Sequence, residues 1–218
     1  MKYELIESNE FYGGAKLFRI KALKDFNNVK TGDIGGFVEN ESNLSQEGNC
    51  WLYNESKAVG DTRVLGDARI YDKASIEGIS VVKGGSVVSG SSIVKDSLVA
   101  GKSSIVGTSV INKSSKVTGN SIVVNTMINE SILLDACVKN SNNIVNASIV
   151  GKNSIFTVTS FGKDNSTVTF FYDDLEDLRV SINDKCGVPE WENVKEDIGV
   201  DYEDMFNKLK QLAIEYMG

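Results

Sequence analysis

Residues 62–90 read TRVLGDARIYDKASIEGISVVKGGSVVSG, a stretch that repeats a pattern of six residues. An aliphatic residue or alanine recurs at every sixth position from Leu52 to Val94; a small residue often stands two positions before it and glycine two positions after it. No helical period of 3.6 residues fits this spacing, and β-branched residues predominate. Glycine at a fixed position provides corners where positive φ is tolerated. The pattern therefore predicts a β-solenoid, whose stacked coils bury one another's aliphatic rows.

The six-residue pattern changes phase at two places. The step from Ser92 to Ser97 is five residues instead of six, which predicts a one-residue deletion, and the aliphatic row then continues from Val99. The phase is lost again near Asn125–Asn129. It is expected to return in the following row: Ile132, Val138, Ile144, Val150 and Phe156. A pentapeptide-repeat solenoid is the nearest alternative, but it needs a period of five, which this interpretation finds only at the first step.

These units resemble the hexapeptide-repeat, left-handed β-helix family. The matching units include ARIYDK at residues 68–73 and SSIVGT at residues 103–108. The resemblance implies three hexads in each triangular coil, or about 18 residues per turn, so that residues 51–156 would form nearly six coils. Left-handedness is implied only by the resemblance, because the general rule for crossover connections would favour the opposite hand.

Residues 1–50 are predicted to form an N-terminal β cap. Residues 17–23 alternate as a strand does, and residues 32–39, GDIGGFVE, are typical of a turn entering a second strand. A cap would cover the unpaired edge of the first coil. A phosphate-binding loop at residues 32–36 is the functional alternative, but the Lys-Ser/Thr ending and a following helix are missing.

Residues 157–218 are predicted to form a small acidic α+β module with a strand pair and two helices. The strands are Thr167–Tyr172 and Leu178–Ile182, and the acidic residues 173–177 between them fit a hairpin loop better than a calcium site. One short helix would have Pro189 in its first turn and end at Gly199. A second helix would be capped by Asp201 and Asp204 and would pack through one apolar face: Tyr202, Met205, Phe206, Leu209, Leu212 and Tyr216.

The order of these parts resembles a group of bacteriophage and prophage proteins of transferase-like label. The resemblance is carried by residues 32–39, Asn43-Leu44-Ser45, Gly48-Asn49-Cys50-Trp51, Cys186-Gly187 and Glu190-Trp191. It implies a phage-derived protein in the cytoplasm of a bacterial host, and a role in countering host defence would fit that origin. The label rests on repeat content and implies little chemistry.

The composition excludes several kinds of enzyme. The chain contains no histidine, so Ser-His-Asp and Cys-His nucleophile systems and histidine-ligated metal sites are excluded. Cys50, Cys137 and Cys186 are scattered and are predicted to be free thiols, and no cofactor or metal site is expected. The net charge is −7, and no basic cluster for nucleic acid, no signal-peptide profile and no membrane-spanning apolar run is found.

A catalytic role would need an unusual base. The acyltransferases that the repeat resembles use histidine, and carboxylates of Asp61, Asp67 or Asp135 are the alternatives in this sequence. Each of them is expected at a solvated corner. Cys137 as a nucleophile would have only Lys139 as a nearby cation. The sequence therefore favours a non-catalytic binding or scaffold protein, with an acyltransferase-like enzyme as the alternative.

One outward face of the predicted solenoid is apolar. After the deletion is taken into account, an exposed stripe is expected from five residues: Tyr71, Val87, Val106, Ile122 and Val124. Monomeric proteins seldom expose such a patch. We therefore predict a subunit interface, with a trimer favoured by analogy, and a host protein or small molecule as a further partner. The alternative is that the chain's own C-terminal segment covers this face.

Overall fold

The structure is a computed structural model. It describes residues 1–217 apart from 140–142, 146–147, 152–154, 163, 165, 173–175, 183–184 and 188. In this part of the chain, three parallel sheets run along a β-solenoid. The predicted solenoid architecture is confirmed, and its left-handedness stays a prediction.

The N-terminal cap is a β-meander that continues directly into the solenoid. Strands Tyr3–Tyr12 and Ala15–Ala22 form an antiparallel hairpin, and Ile34–Val38 pairs antiparallel with the second of them. The other edge of Ile34–Val38 pairs in parallel with the coil strand Lys57–Ala58. The strands predicted at 17–23 and 32–39 are confirmed, while the first strand was not predicted. The meander therefore covers an edge of the first coil, as a solenoid cap must.

Glycines 35 and 36 lie in this last cap strand and face the first coil at close range. A Cβ on Gly35 would be 2.6 Å from the Leu52 carbonyl oxygen, and one on Gly36 would be 2.4 Å from that of Ser56. Both glycines are buried. Close packing of the cap on the solenoid thus explains why glycine occupies both positions. This agrees with the prediction that residues 32–39 enter a strand.

The solenoid strands form three sheets in which each strand pairs with the strand one coil away. After the cap strands, the first sheet contains Lys57–Ala58, Ser75–Glu77, Ile93–Lys95, Val110–Asn112, Met127–Asn129 and Asn143–Val145. The second sheet contains Trp51–Leu52, Arg69–Ile70, Val87–Val88, Ser104–Val106, Ile122–Val124 and Cys137–Lys139. The third sheet contains Arg63–Val64, Val81–Val82, Leu98–Val99, Lys116–Thr118, Ile132–Leu134 and Ser148–Val150.

The aliphatic row fills the solenoid core, but its later register differs from the prediction. Between Leu52 and Val123, the residues of the predicted aliphatic row point inward. The row then continues with Ile128, Leu133, Val138, Ile144, Ile149 and Ile155. Ile132, predicted to be inward, is 46% exposed, and Phe156 is only partly buried against the C-terminal module. The side chain of Val150 lies outside the described residues.

Five-residue steps are therefore more frequent than the sequence interpretation found. They separate Val94 from Val99, each neighbouring pair from Val123 through Ile128 and Leu133 to Val138, and Ile144 from Ile149. At the steps before Val138 a non-glycine residue with positive φ is followed at once by the small corner residue, as in Asn125-Thr126, Glu130-Ser131 and Asp135-Ala136. The six-residue corners have one more residue at this point, so loss of that residue shortens the later coils.

The small residue that precedes each aliphatic position closes the corner. The described serines of this row are buried, and at several six-residue corners the hydroxyl donates to the carbonyl three residues earlier, as Ser80 does to Glu77 at 2.7 Å. At five-residue corners Ser97 and Ser131 donate instead to the carbonyl two residues earlier. A side chain larger than serine would not fit in the narrow corner, and alanine would fit but has no hydroxyl to make this hydrogen bond. Serine is small enough for the corner and also makes the bond.

The C-terminal module has a larger sheet than the predicted strand pair. The predicted strands correspond to Ser166–Tyr172 and Leu178–Ile182, but strands Ile155–Phe161 and Lys185–Gly187 extend them to an antiparallel sheet of four. The sequence pattern places Phe156 in the last hexad of the solenoid, whereas Ile155 is the residue of this strand that joins the solenoid core. Residues 173–175 of the predicted acidic loop lie outside the described residues.

Two helices pack on this sheet. Helix α1 spans Trp191–Ile198 and ends at Gly199, as predicted, but Pro189 lies before the helix and not in its first turn. Helix α2 spans Glu203–Met217. The predicted capping role of Asp201 is wrong, because Asp201 lies inside a 3₁₀ turn, Val200–Tyr202, that precedes α2. The predicted apolar face of α2 is only partly buried: Phe206 is inaccessible, whereas Met205, Leu212 and Tyr216 are at least half exposed.

Strand Ser166–Tyr172 joins the module to the solenoid because it is buried on both faces. Phe171 packs with Ile155 in the core of the solenoid, while Phe170 packs in a second core with Phe206 and Ile198. Adjacent residues of a strand point to opposite faces. The module therefore covers the last coil, and the solenoid has a β cap at each end.

Candidate functional site

The predicted interface residues lie on the second sheet. Val87 pairs with Arg69 on one side and Ser104 on the other, Ser104 pairs with Ile122, and Val106 pairs with Val124. All of these positions alternate with the inward row, so their side chains point away from the core. Ile122 is 38% exposed, and the other predicted residues are half-buried. The structure thus brings the five residues together on one face, which we call the second-sheet face; their role as an interface stays a prediction.

The C-terminal module packs at the end of the solenoid. Its sheet contacts the coil strands Asn143–Val145 and Ser148–Val150, and Phe171 fills the end of the core. In the described residues the C-terminal module thus packs on the end of the solenoid. The alternative prediction, in which the C-terminal segment lies over the second-sheet face, describes a different arrangement.

An aromatic pair lies at the cap end of the second-sheet face. The rings of Tyr53 and Tyr71 stack with centroids 4.3 Å apart and an interplanar angle of 12°. The Tyr53 hydroxyl donates to Asn28 Oδ1 at 2.7 Å. Burial, with a smaller contribution from Tyr71, raises the pKa of Tyr53 to about 12. The sequence analysis missed Tyr53, although its spacing of one 18-residue coil from Tyr71 could have indicated the stack.

The third sheet carries a second apolar surface that the sequence analysis did not single out. Ile132 is 46% exposed and Leu134 38%, and the corner residue Ile79 is 68% exposed. Ile79, Val81 and Leu98 line a shallow groove of about 270 Å³. Counting begun two strands later along the chain would have placed Val81 and Leu98 on this sheet, whereas the six-residue pattern placed Ile132 inward. Apolar side chains are thus exposed on more than one face of the solenoid.

The candidate carboxylate bases lie at exposed corners, and two of them connect successive coils. Asp67 Oδ1 accepts from the Asn49 side chain at 2.8 Å and from its backbone N–H at 3.3 Å. Asp135 Oδ1 accepts in the same way from Asn120, at 3.1 Å and 2.8 Å. Asp61 is also exposed. The corner positions predicted for these residues are confirmed. The hydrogen bonds of Asp67 and Asp135 join one coil to the next.

The three cysteines are free thiols in very different environments. Cys50 is buried, Cys137 half-buried and Cys186 exposed. Cys137 and the exposed Lys139 lie two residues apart on the second sheet, with their side chains on the same outward side. In the described part of the chain, no three Cys, Asp or Glu side chains are grouped to hold a metal ion.

A cleft of about 400 Å³ lies between the C-terminal sheet and α2. Leu178, Pro189 and Ile214 contribute apolar walls. The two cations at its edge are paired with carboxylates: Lys210 Nζ lies 2.9 Å from Glu190, and Arg179 lies 3.7 Å from Asp177.

The described helices include none that is long and apolar enough to cross a membrane.

Comparison with known proteins gives a short match. The chain is 40% identical over 63 residues to an uncharacterized acetyltransferase, YdcK, of Escherichia coli (strain K12). The matched segment is 25% of this chain and 19% of that protein, so the chain covers about a fifth of its relative. No protein-family model matches the chain. Together, this relative and the three-sheet solenoid fit a hexapeptide-repeat β-helix.

Proposed function

We propose that this protein is a non-catalytic β-helix binding or scaffold protein that assembles with copies of itself through the second-sheet face. The observation that carries the proposal is the register of the outward residues Val87, Val106, Ile122 and Val124 on adjacent strands. The apolar side chains follow one another along a flat surface, with the Tyr53–Tyr71 stack at one end. Contiguous apolar patches on soluble proteins typically mark association sites.

A trimer is the proposed assembly, by analogy with the β-helix family that the repeat resembles. The proposed further partner is a host protein, or a small molecule held between subunits. A cytoplasmic location, a phage or prophage origin and a role against host defence are supported by the sequence resemblance. The absence of histidine from the sequence supports recognition over the histidine-dependent chemistry of that family.

Replacement of Val106 tests the association. Val106 is half-buried on the sheet surface, so Val106→Lys can direct its ammonium group into water in a single subunit but would bury a charge in an interface. We expect light scattering after size exclusion to give an oligomer mass for the natural chain and a monomer mass for the variant. Circular dichroism would establish that the variant is folded. A folded variant of unchanged mass, or a monomeric natural chain, would refute the interface.

A purification from host lysate tests the further partner. The natural chain and Val106→Lys would be used as parallel baits, and the eluates would be examined for proteins and small molecules by mass spectrometry. A ligand held between subunits is expected with the natural chain and lost with the variant. A ligand retained equally by both would place its site elsewhere.

The alternative function is acyl transfer with a non-histidine base. It is favoured by the acetyltransferase name of the relative that matches a quarter of the chain. Asp135 is the testable base because its corner is exposed and it bonds to Asn120. Incubation with acetyl-CoA and amine or hydroxyl acceptors would release free thiol from the coenzyme if transfer occurred. We expect the same background release of free thiol with and without the protein. Turnover by the natural chain that is lost in Asp135→Asn would overthrow the non-catalytic proposal.

A further inference from the structure

Lys2 is a lysine with an inaccessible amino group. Its exposed fraction is 1%, and Nζ donates to the carbonyl oxygens of Cys50 at 3.0 Å, Glu47 at 3.3 Å and Gly48 at 3.4 Å. Its fourth neighbour is the Cys50 sulfur, at 3.3 Å. Phe26 covers the group, with Nζ 5.3 Å from the ring centroid. The cap strand and the first coil thus bring an amine against a thiol.

The Cys50 thiol is equally enclosed. Its exposed fraction is 0%, and besides Lys2 it lies 3.4 Å from the Val64 carbonyl oxygen and 3.6 Å from that of Ser45. The pair nevertheless lies one residue from solvent, because Met1 is 79% exposed. A molecule as small as hydrogen peroxide needs only a local opening of the backbone around Lys2 to reach the sulfur.

Burial affects the charge of both groups. It lowers the pKa of Lys2, which favours the neutral, nucleophilic amine, although Cys50 acts in the opposite sense. Burial also raises the pKa of Cys50, and the neighbouring Lys2 partly offsets this effect. An amine and a sulfur at about 3–3.5 Å are at the distance from which bond formation begins.

We propose that Lys2 and Cys50 form a covalent cross-link when the protein meets hydrogen peroxide. Peroxide first oxidises the thiol to a sulfenic acid and is itself reduced to water. The Lys2 amine then attacks the sulfur, an N–S bond forms, and the S–O bond breaks as hydroxide leaves with a proton of the amine as water. A second equivalent of peroxide instead removes the two hydrogens and keeps the oxygen, which gives an N–O–S bridge and two further waters.

The cross-link would fasten the cap to the solenoid. It closes the chain between residue 2, beside the first strand, and residue 50, at the entry to the first coil. A covalent closure of this kind restricts the unfolded chain and resists detachment of the first strand. The oxidised protein is therefore expected to unfold at a higher temperature than the reduced protein, and a thiol reductant is expected to reverse the shift.

Mass spectrometry of a single-cysteine form tests the proposal. Cys137→Ser with Cys186→Ser leaves only Cys50, and both replaced residues lie at least partly exposed, away from the core. After peroxide, the intact mass should fall by about 2 Da for the N–S link or rise by about 14 Da for the oxygen bridge. Fragmentation should identify linked peptides containing Lys2 and Cys50. The Cys50 thiol titrated in denaturant should disappear and return on reduction.

The matched control is Lys2→Gln in the same single-cysteine background. It keeps Cys50 but removes the nucleophile, so any oxidation should add about 16 or 32 Da without a linked peptide. If this control does not fold, the linked peptide of the single-cysteine form still decides the question. An unmodified thiol, or a sulfinic acid without a link to Lys2, in the folded single-cysteine protein would overturn the proposal.

Discussion

The carboxylate of Asp96 lies directly over Gly78 in the preceding coil. Asp96 Oδ1 accepts a hydrogen bond from the Ile79 N–H at 3.1 Å, and a Cβ on Gly78 would be only 1.9 Å from the same oxygen. Gly78 also has a φ of 67°. The same relationship recurs in later coils, where Asn125 lies over Gly107 and Asp135 over Gly119. A corner glycine is thus required both by its own φ and by the acidic or amide side chain of the next coil.

Gly78→Ala should destabilise the solenoid. The added methyl group forces Asp96 to move and places alanine at positive φ, and each residue held in such a conformation costs about 1–3 kcal/mol. We expect a lower midpoint of urea unfolding with an unchanged slope.

Gly85→Ala is the matched control. Gly85 has a neighbouring corner position without positive φ, and a Cβ there would have its nearest neighbour at 3.8 Å. Its effect should stay within about 0.5 kcal/mol. Equal destabilisation by the two replacements would contradict the proposed role of the Asp96 contact.

Asn43→Ala should loosen the junction between cap and solenoid. The Asn43 side chain is inaccessible; its Nδ2 donates to the Gly60 carbonyl oxygen at 2.7 Å, and its Oδ1 accepts from the Asn40 N–H at 2.9 Å. Removing it leaves buried groups without partners, at a cost of about 1–3 kcal/mol each. The free energy of unfolding should therefore fall by at least about 1 kcal/mol, measured by denaturant titration.

Ser42→Ala provides the comparison for Asn43 because it lies in the same 3₁₀ turn but is exposed. Its effect should be within about 0.5 kcal/mol. If Asn43→Ala were as mild as Ser42→Ala, the amide would contribute nothing beyond local turn formation.

Tyr53→Phe should change how stability depends on alkaline pH. The folded pKa of Tyr53 is raised to about 12, whereas the unfolded chain ionises near the ordinary value of about 10. The unfolded state then loses the proton first, so the contribution of this group is fully present below pH 10 and is lost as the pH rises toward 12. The natural chain should lose more stability over this interval than Tyr53→Phe.

Urea unfolding at several pH values checks the Tyr53 prediction. Near neutral pH the variant should be less stable by up to about 1 kcal/mol, because the bond to Asn28 is lost. The difference should narrow between pH 10 and 12. A constant difference would mean that Tyr53 ionises alike in both states.

Ile122→Lys and Leu134→Lys distinguish the two apolar faces. Both side chains are 38% exposed, but Ile122 lies on the second sheet and Leu134 on the third. If subunits associate through the second-sheet face, light scattering should give a monomer for Ile122→Lys and an unchanged oligomer for Leu134→Lys. The reverse result would move the interface to the third sheet.

Much of the candidate site could be predicted because coils of 17 and 18 residues place residues on one sheet by counting. Val87, Ser104 and Ile122 follow from that arithmetic alone. Which side chains are exposed could not be predicted in the same way. Ile132 belongs to a coil that two five-residue corners shorten, so Ile132, which was expected to point inward, points outward. Asparagine and aspartate adopt positive φ more readily than most residues, but Glu130 does so as well, and the same residue types also occur elsewhere in the repeat, so residue type alone does not identify these corners.

The amino-acid pattern alone is enough to establish that this chain forms a β-solenoid, and its composition shows that it contains no histidine. A row of small aliphatic residues with a six-residue period can be buried only by stacking coils, so the pattern is sufficient for the architecture. The tertiary structure alone decided the contacts between distant segments: Lys2 against Cys50, Asp96 over Gly78, and Phe170 and Phe171 in separate cores. Such contacts depend on how strands pair across coils and on how the caps pack, and no local pattern encodes them.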